Sequence, residues 1–215
     1  MSFVTHGGVT ITREDQPIDY AGALERWVKR LDHERGVVFS SSYEFPGRYT
    51  RWDFGVVDPP LSVEAKGRTV TVMALNARGK ALLPAAAQAF AHAGLSPVAD
   101  NDTVVVTVPE PEDESLVEEE RTRRPTAYSA LRALLDFFHT EGDANLGFAG
   151  AFGYDLAFQF DPIPLCLERP AGQRDIVLYL PDEILTVDHY AKTANVARYE
   201  FTFGDDTTSG VPRAP

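Results

Sequence analysis

Residues 176–180, 183–189 and 195–203 read as three strands in close succession, with only Pro181-Asp182 and a short polar turn between them. Parallel neighbours need a crossover of about a dozen residues or more, so strands this close together can only turn back on one another. The same constraint operates upstream. Residues 61–65 alternate polar and apolar, Lys66-Gly67 supplies a turn, and 69–75 alternates again, which predicts a β-hairpin. Residues 103–108 are short and β-branched, and the glycine-rich 146–154 reads as a further strand. Three helices are expected. The first covers 18–34, with Tyr20, Leu24, Trp27, Val28 and Leu31 on one face and Gly36 as its stop. The second covers 80–94, with Pro84 near its regular start, and the third follows a Thr126 cap with a stripe of Tyr128, Leu131, Leu134, Leu135 and Phe138. Strands follow strands without a helix between each pair. This excludes a doubly wound parallel sheet and predicts an α+β fold of mainly antiparallel sheets packed with helices.

The chain has 215 residues, enough for one large domain or two small ones without a disulfide or metal to hold them. Cys166 is the one cysteine, so no disulfide can form within the chain. That suits a cytoplasmic setting, with Cys166 a small buried apolar residue. The N-terminus has no basic patch leading into an apolar core, and no apolar run reaches the ~20 residues that span a bilayer. A net charge of −12 disfavours nucleic-acid phosphates. The basic run Arg121-Thr122-Arg123-Arg124 directly follows Glu118-Glu119-Glu120 and reads as a solvated, self-neutralising stretch beside an exposed acidic loop over 109–120.

The search for chemistry begins with metals. His6, His33, His92, His139 and His189 have no metal-ligand spacing, so no local metal site is expected. Asp188-His189 at a strand end is either an acid/base or metal pair or a hydrogen-bonded strand terminus. Ser40, Ser41 and Ser42 lie in no nucleophile elbow. Gly147, Gly150 and Gly153 match neither a dinucleotide fingerprint nor a phosphate loop and imply close backbone approach. Asp155 is either a site charge or part of a turn. Arg48 and Arg51, interleaved with Tyr49 and Trp52, can hold a carboxylate or stack on a ring, or else form an alternating basic surface strand. The residues alone give an α+β domain with one small-ligand groove and no catalytic constellation.

Three segments in order add to this. They are Val38-Phe39-Ser40-Ser41-Ser42 with Gly47-Arg48-Tyr49-Thr50-Arg51-Trp52-Asp53, then Phe148-Ala149-Gly150-Ala151-Phe152-Gly153-Tyr154-Asp155-Leu156, then Pro181-Asp182 through Val187-Asp188-His189. Together they resemble the N-terminal region of the chorismate-using large subunit of anthranilate synthase, and are most similar to bacterial forms fused to a glutamine amidotransferase. The resemblance implies the N-terminal half of an anthranilate/aminodeoxychorismate synthase-like fold over 1–203. Residues 204–215 would be a linker to an absent C-terminal chorismate-binding domain. It further implies an enzyme of the carbon–oxygen lyase family, forming anthranilate and pyruvate from chorismate and glutamine or ammonia for tryptophan biosynthesis.

On that resemblance this region holds no catalytic residue and no metal ligand, and the Mg²⁺ of the complete enzyme is bound by the absent domain. Partners are that domain and a glutamine amidotransferase domain or subunit. L-tryptophan is the expected feedback inhibitor, in a pocket to which Ser40, Ser41, Ser42, Arg48 and Arg51 contribute. Ser40 stands where the family carries a glutamate, so the ligand's ammonium would meet a hydroxyl there. The N-terminal part of aminodeoxychorismate synthase and a standalone amino-acid-binding module are the alternative readings.

Overall fold

The computed structural model describes residues 1–40, 51–110, 125–159 and 166–213. Its strands form two antiparallel sheets. The first runs in the order β1 (Ser2–Val4), β2 (Thr10–Ile18), β12 (Thr193–Phe203), β11 (Glu183–Asp188), β4 (Trp52–Val57), β3 (Gly36–Ser40), with the short β13 (Asp206–Thr207) also on β12. The second is β7 (Val98–Ala99), β8 (Thr103–Thr107), β6 (Thr69–Ala74), β5 (Leu61–Lys66), β10 (Ile176–Leu180), β9 (Ala149–Phe152). The α+β architecture and the hairpins β5–β6 and β11–β12 are as the alternation predicts.

β12 is the spine of the first sheet, and its two faces serve different purposes. Ala197, Tyr199 and Phe201 point into the main core, where they meet Val63, Val72, Phe90, Val104, Leu134 and Leu178 from the second sheet and its helices. Ala194 and Val196 point the other way and, with Leu185, Val187 and Val57, form a smaller apolar layer under Trp27 of α1 (Ala23–Arg30). Gly55 makes that layer possible, because a Cβ there would stand 3.2 Å from Trp27 Cε3. α2 (Ala77–Lys80), α3 (Leu83–His92) and α4 (Ala127–Phe138) accompany the second sheet. α4 starts at Thr126, whose Oγ1 accepts from Tyr128 N, while Ser129 Oγ accepts from Thr126 N.

Several expectations need correction. The first helix covers only 23–30 of the predicted 18–34. Ile18 belongs to β2, which pairs with β12 through nine registered positions, and Gly22 breaks the helix at φ 67°. Val28 is 46% exposed and so lies outside the buried stripe. The second predicted helix is as expected in its regular part, α3 over Leu83–His92 with Pro84 in its first turn, where a missing N–H costs little, and the short α2 precedes it. The glycine-rich strand is only four residues long and passes into a 3₁₀ segment, Tyr154–Gln159. A Cβ at Gly150 would stand 2.1 Å from Val177 O, so the close approach inferred there is made to β10 of this same chain, whereas a Cβ at Gly147 would meet nothing within 4 Å and that expectation fails. Cys166 is exposed, not buried. Asp155 accepts from Gln173 Nε2 at 2.5 Å and lies 3.2 Å from Arg169 Nε, which is the structural alternative for that residue. The acidic loop beyond Glu110 and the basic run 121–124 fall outside the described residues. Residues 206–213 follow the body closely: β13 pairs with β12, and Thr208 is fully buried.

Candidate functional site

The far ends of β3, β4 and β11 meet beside α1. In register, Ser40 faces Asp53, and Asp53 faces Val187, so these side chains share the face on which Trp27 packs. Asp53 is 1% exposed. Its Oδ2 accepts from His189 Nε2 at 2.6 Å, and His189 Nδ1 lies 2.9 Å from the Tyr20 hydroxyl. A buried carboxylate is thus held through an imidazole to a phenol, the three groups arriving from β4, the end of β11 and the stretch before α1. Asp53 Oδ1 is buried and has no hydrogen-bond partner among the described residues.

Asp188 and His189 do not pair with each other. Asp188 Oδ1 accepts from Tyr190 N at 2.9 Å and Ala191 N at 3.0 Å, closing the turn after β11. These donors, Ala191 foremost and helped by Arg51, hold its carboxyl below the ordinary aspartate range. The strand-terminus reading is therefore correct for Asp188, while His189 is turned to Asp53 and Tyr20. Arg51 lies on the outer side of this corner. Its guanidinium is 3.4 Å from Asp188 Oδ2 and stacks 4.7 Å from the Trp52 ring centre and 5.9 Å from that of Tyr190.

Of the residues expected to bind a ligand, the structure places Ser40 and Arg51 at this corner. Ser41, Ser42 and Arg48 lie outside the described residues. Sequence reasoning missed Asp53, Tyr20 and the role of His189. Asp53 stands in the quoted Arg-Trp-Asp run, but its partner is 136 residues away, and only the β4–β11 register joins them. On the opposite face of β3 and β4, Phe39 and Phe54 line an apolar groove of about 420 Å³ with Leu135, Phe148 and Phe152. Phe39 and Phe152 are 46% and 53% exposed there.

A second polar centre has a structural character. Arg78 is 1% exposed, and each of its five N–H donors has an acceptor: Asp182 Oδ2, Thr208 O, Val211 O, Tyr199 O and Glu200 Oε2. Arg213 adds contacts to Asp182, Glu200 and Tyr199 O. This network ties residues 208–213 to β12 and to the start of β11. Among the described residues no three His, Cys, Asp or Glu side chains gather as a metal site, and no helix is long and apolar enough to cross a membrane.

This α+β body is similar to the N-terminal part of curated anthranilate synthases. The chain is similar to the anthranilate synthase of Azospirillum brasilense, with 45% identity over 215 residues that cover 98% of this chain and 29% of that protein. It is also similar to the pyocyanine-specific anthranilate synthase component 1 of Pseudomonas aeruginosa, with 28% identity over 73% of this chain and 29% of that one. Component 1 of Salmonella typhimurium is 31% identical over 70% of this chain and 29% of its own length. The chain therefore spans less than a third of each of these relatives. No protein-family model matches it.

Proposed function

We propose that the chain is the N-terminal regulatory and structural part of an anthranilate synthase acting in tryptophan biosynthesis. The supporting observation is the 45% identity to the Azospirillum brasilense anthranilate synthase across 98% of this chain. On this reading the complete enzyme, a carbon–oxygen lyase of the cytoplasm, converts chorismate and glutamine or ammonia to anthranilate and pyruvate. Chemistry and Mg²⁺ belong to a chorismate-binding domain beyond these residues, and ammonia comes from a glutamine amidotransferase partner.

The corner at Ser40 and Arg51 is one wall of a tryptophan pocket, and the family resemblance adds Ser41, Ser42 and Arg48, which lie outside the described residues. Arg51 offers a guanidinium to the ligand's carboxylate, and Trp52 and Tyr190 offer aromatic surface. Inhibition then requires tryptophan to bind the low-activity arrangement of the enzyme more tightly than the active one. The test is anthranilate fluorescence with chorismate, Mg²⁺ and ammonia. This chain alone is expected to be silent, and product is expected once the chorismate-binding domain is supplied. Turnover by the chain alone would refute the division of labour.

A further inference from the structure

We propose that Asp53 is the ammonium-binding residue of the corner site, with Tyr20 and His189 as the residues that position it. The inference starts from an unpaired atom. Asp53 is 1% exposed and its Oδ1 has no hydrogen-bond partner among the described residues, although burying a carboxylate oxygen without a donor is costly. His189 serves only the other oxygen, from Nε2 at 2.6 Å, and Tyr20 at 2.9 Å from Nδ1 keeps the imidazole in that direction. With Asp53 ionised, His189 Nε2–H is the donor and Oδ1 is left over. Arg51 does not answer it, since its guanidinium is engaged with Asp188, Trp52 and Tyr190. The fold thus fixes one oxygen of a buried anion and leaves the other ready for a donor.

The neighbours specify which donor. Ser40 is directly across the ladder from Asp53, on the same face, and it is exposed where Asp53 is buried. Arg51, two residues from Asp53 along the same chain segment, turns its guanidinium to Asp188 at 3.4 Å on the outer side of the corner. A buried anion with one oxygen left over is the acceptor an ammonium needs, and in a free amino acid that ammonium is part of the head group. This rests on the reading of the corner as an amino-acid pocket. It adds that the negative charge absent at Ser40 is supplied from the neighbouring strand.

The experiment is calorimetric titration of this chain joined to the chorismate-binding domain that completes the pocket, with L-tryptophan and with indole-3-propionate, which lacks the ammonium. The wild type is expected to prefer L-tryptophan by roughly 10- to 100-fold, the range of one charge-assisted hydrogen bond. Asp53→Asn keeps an acceptor for His189 and puts an amide in place of the anion. It should bring the two ligands to near parity while leaving indole-3-propionate unchanged, and Tyr20→Phe should narrow the gap in part. A gap that persists in Asp53→Asn overturns the proposal and leaves the amino-acid pocket standing. If Asp53→Asn does not fold, equal binding of the two ligands by the wild type also overturns it. If the wild type binds no tryptophan, the amino-acid reading fails and methylammonium chloride decides the Asp53 assignment. A rise in wild-type melting temperature over equal sodium chloride, absent in Asp53→Asn, supports the subsite, and identical behaviour of the two proteins ends it.

Discussion

Replacing Arg78 by methionine keeps the length of the side chain and removes five donors at once. The buried partner that matters most is Asp182, which is 2% exposed and in contact with Arg78 Nε. Removing one member of a buried ion pair typically costs about 3–5 kcal/mol, because the other charge is left uncompensated. Arg213 softens the loss, since its Nε stays 3.5 Å from Asp182 Oδ2. Against that, Tyr199 O, Thr208 O and Val211 O each lose a donor. The lower end of the range, about 3 kcal/mol, is therefore expected, equivalent to a melting temperature lower by roughly 6–12 °C for a chain of this size.

The pH dependence has a definite sign. Burial holds the Asp182 carboxyl above its ordinary range, opposed chiefly by Arg78 and then Arg213. Without Arg78 it rises further. A raised folded-state value contributes stability at low pH that is lost as pH climbs through it. The deficit of Arg78→Met is thus largest near neutrality and shrinks as the pH falls and Asp182 takes up a proton. Urea unfolding across the acid range, followed by circular dichroism, reads both quantities. Wild-type stability in Arg78→Met, or a deficit that grows on acidification, would refute this account of the network.

Ser62 Oγ is buried without a hydrogen-bond partner, so Ser62→Ala should be neutral or stabilising by up to about 1 kcal/mol, and a clear loss in urea unfolding would show an unseen partner. Gly150→Ala would place a methyl group 2.1 Å from Val177 O and should cost roughly 1–3 kcal/mol as β9 and β10 separate, read as a lowered urea midpoint. The Asp188 carboxyl is depressed by its backbone donors, so its contribution is present above the unfolded-state range and fades as pH falls through the lowered value. Asp188→Asn keeps the acceptor for Tyr190 N and Ala191 N and should melt closer to wild type than Asp188→Ala does.

The parts of the fold that were legible in sequence are those where burial enforces alternation. β5, β6, β8 and β10 carry Val, Ile, Leu or Ala at every second position because one face of each is sealed. β2 escaped notice because Thr10–Ile18 buries only Ile11 fully, and its partner β12 holds it by backbone pairing. The first helix was overextended because Tyr20 continues the helical spacing of Leu24, Trp27 and Leu31, whereas the ladder with β12 claims the chain up to Ile18. At the corner site, Ser40 and Arg51 stood out by residue type. Asp53 did not, because a lone aspartate gains meaning only when strand register brings His189 to it.

The alternation of β12 between two apolar clusters has a consequence for how the molecule comes apart. Its even-numbered residues support the layer under Trp27, and its odd-numbered residues support the larger core. With one wall common to both, the corner that carries Asp53 has no seam along which it could melt independently. Amide exchange should therefore show β4, β11 and β12 opening together in a single cooperative event.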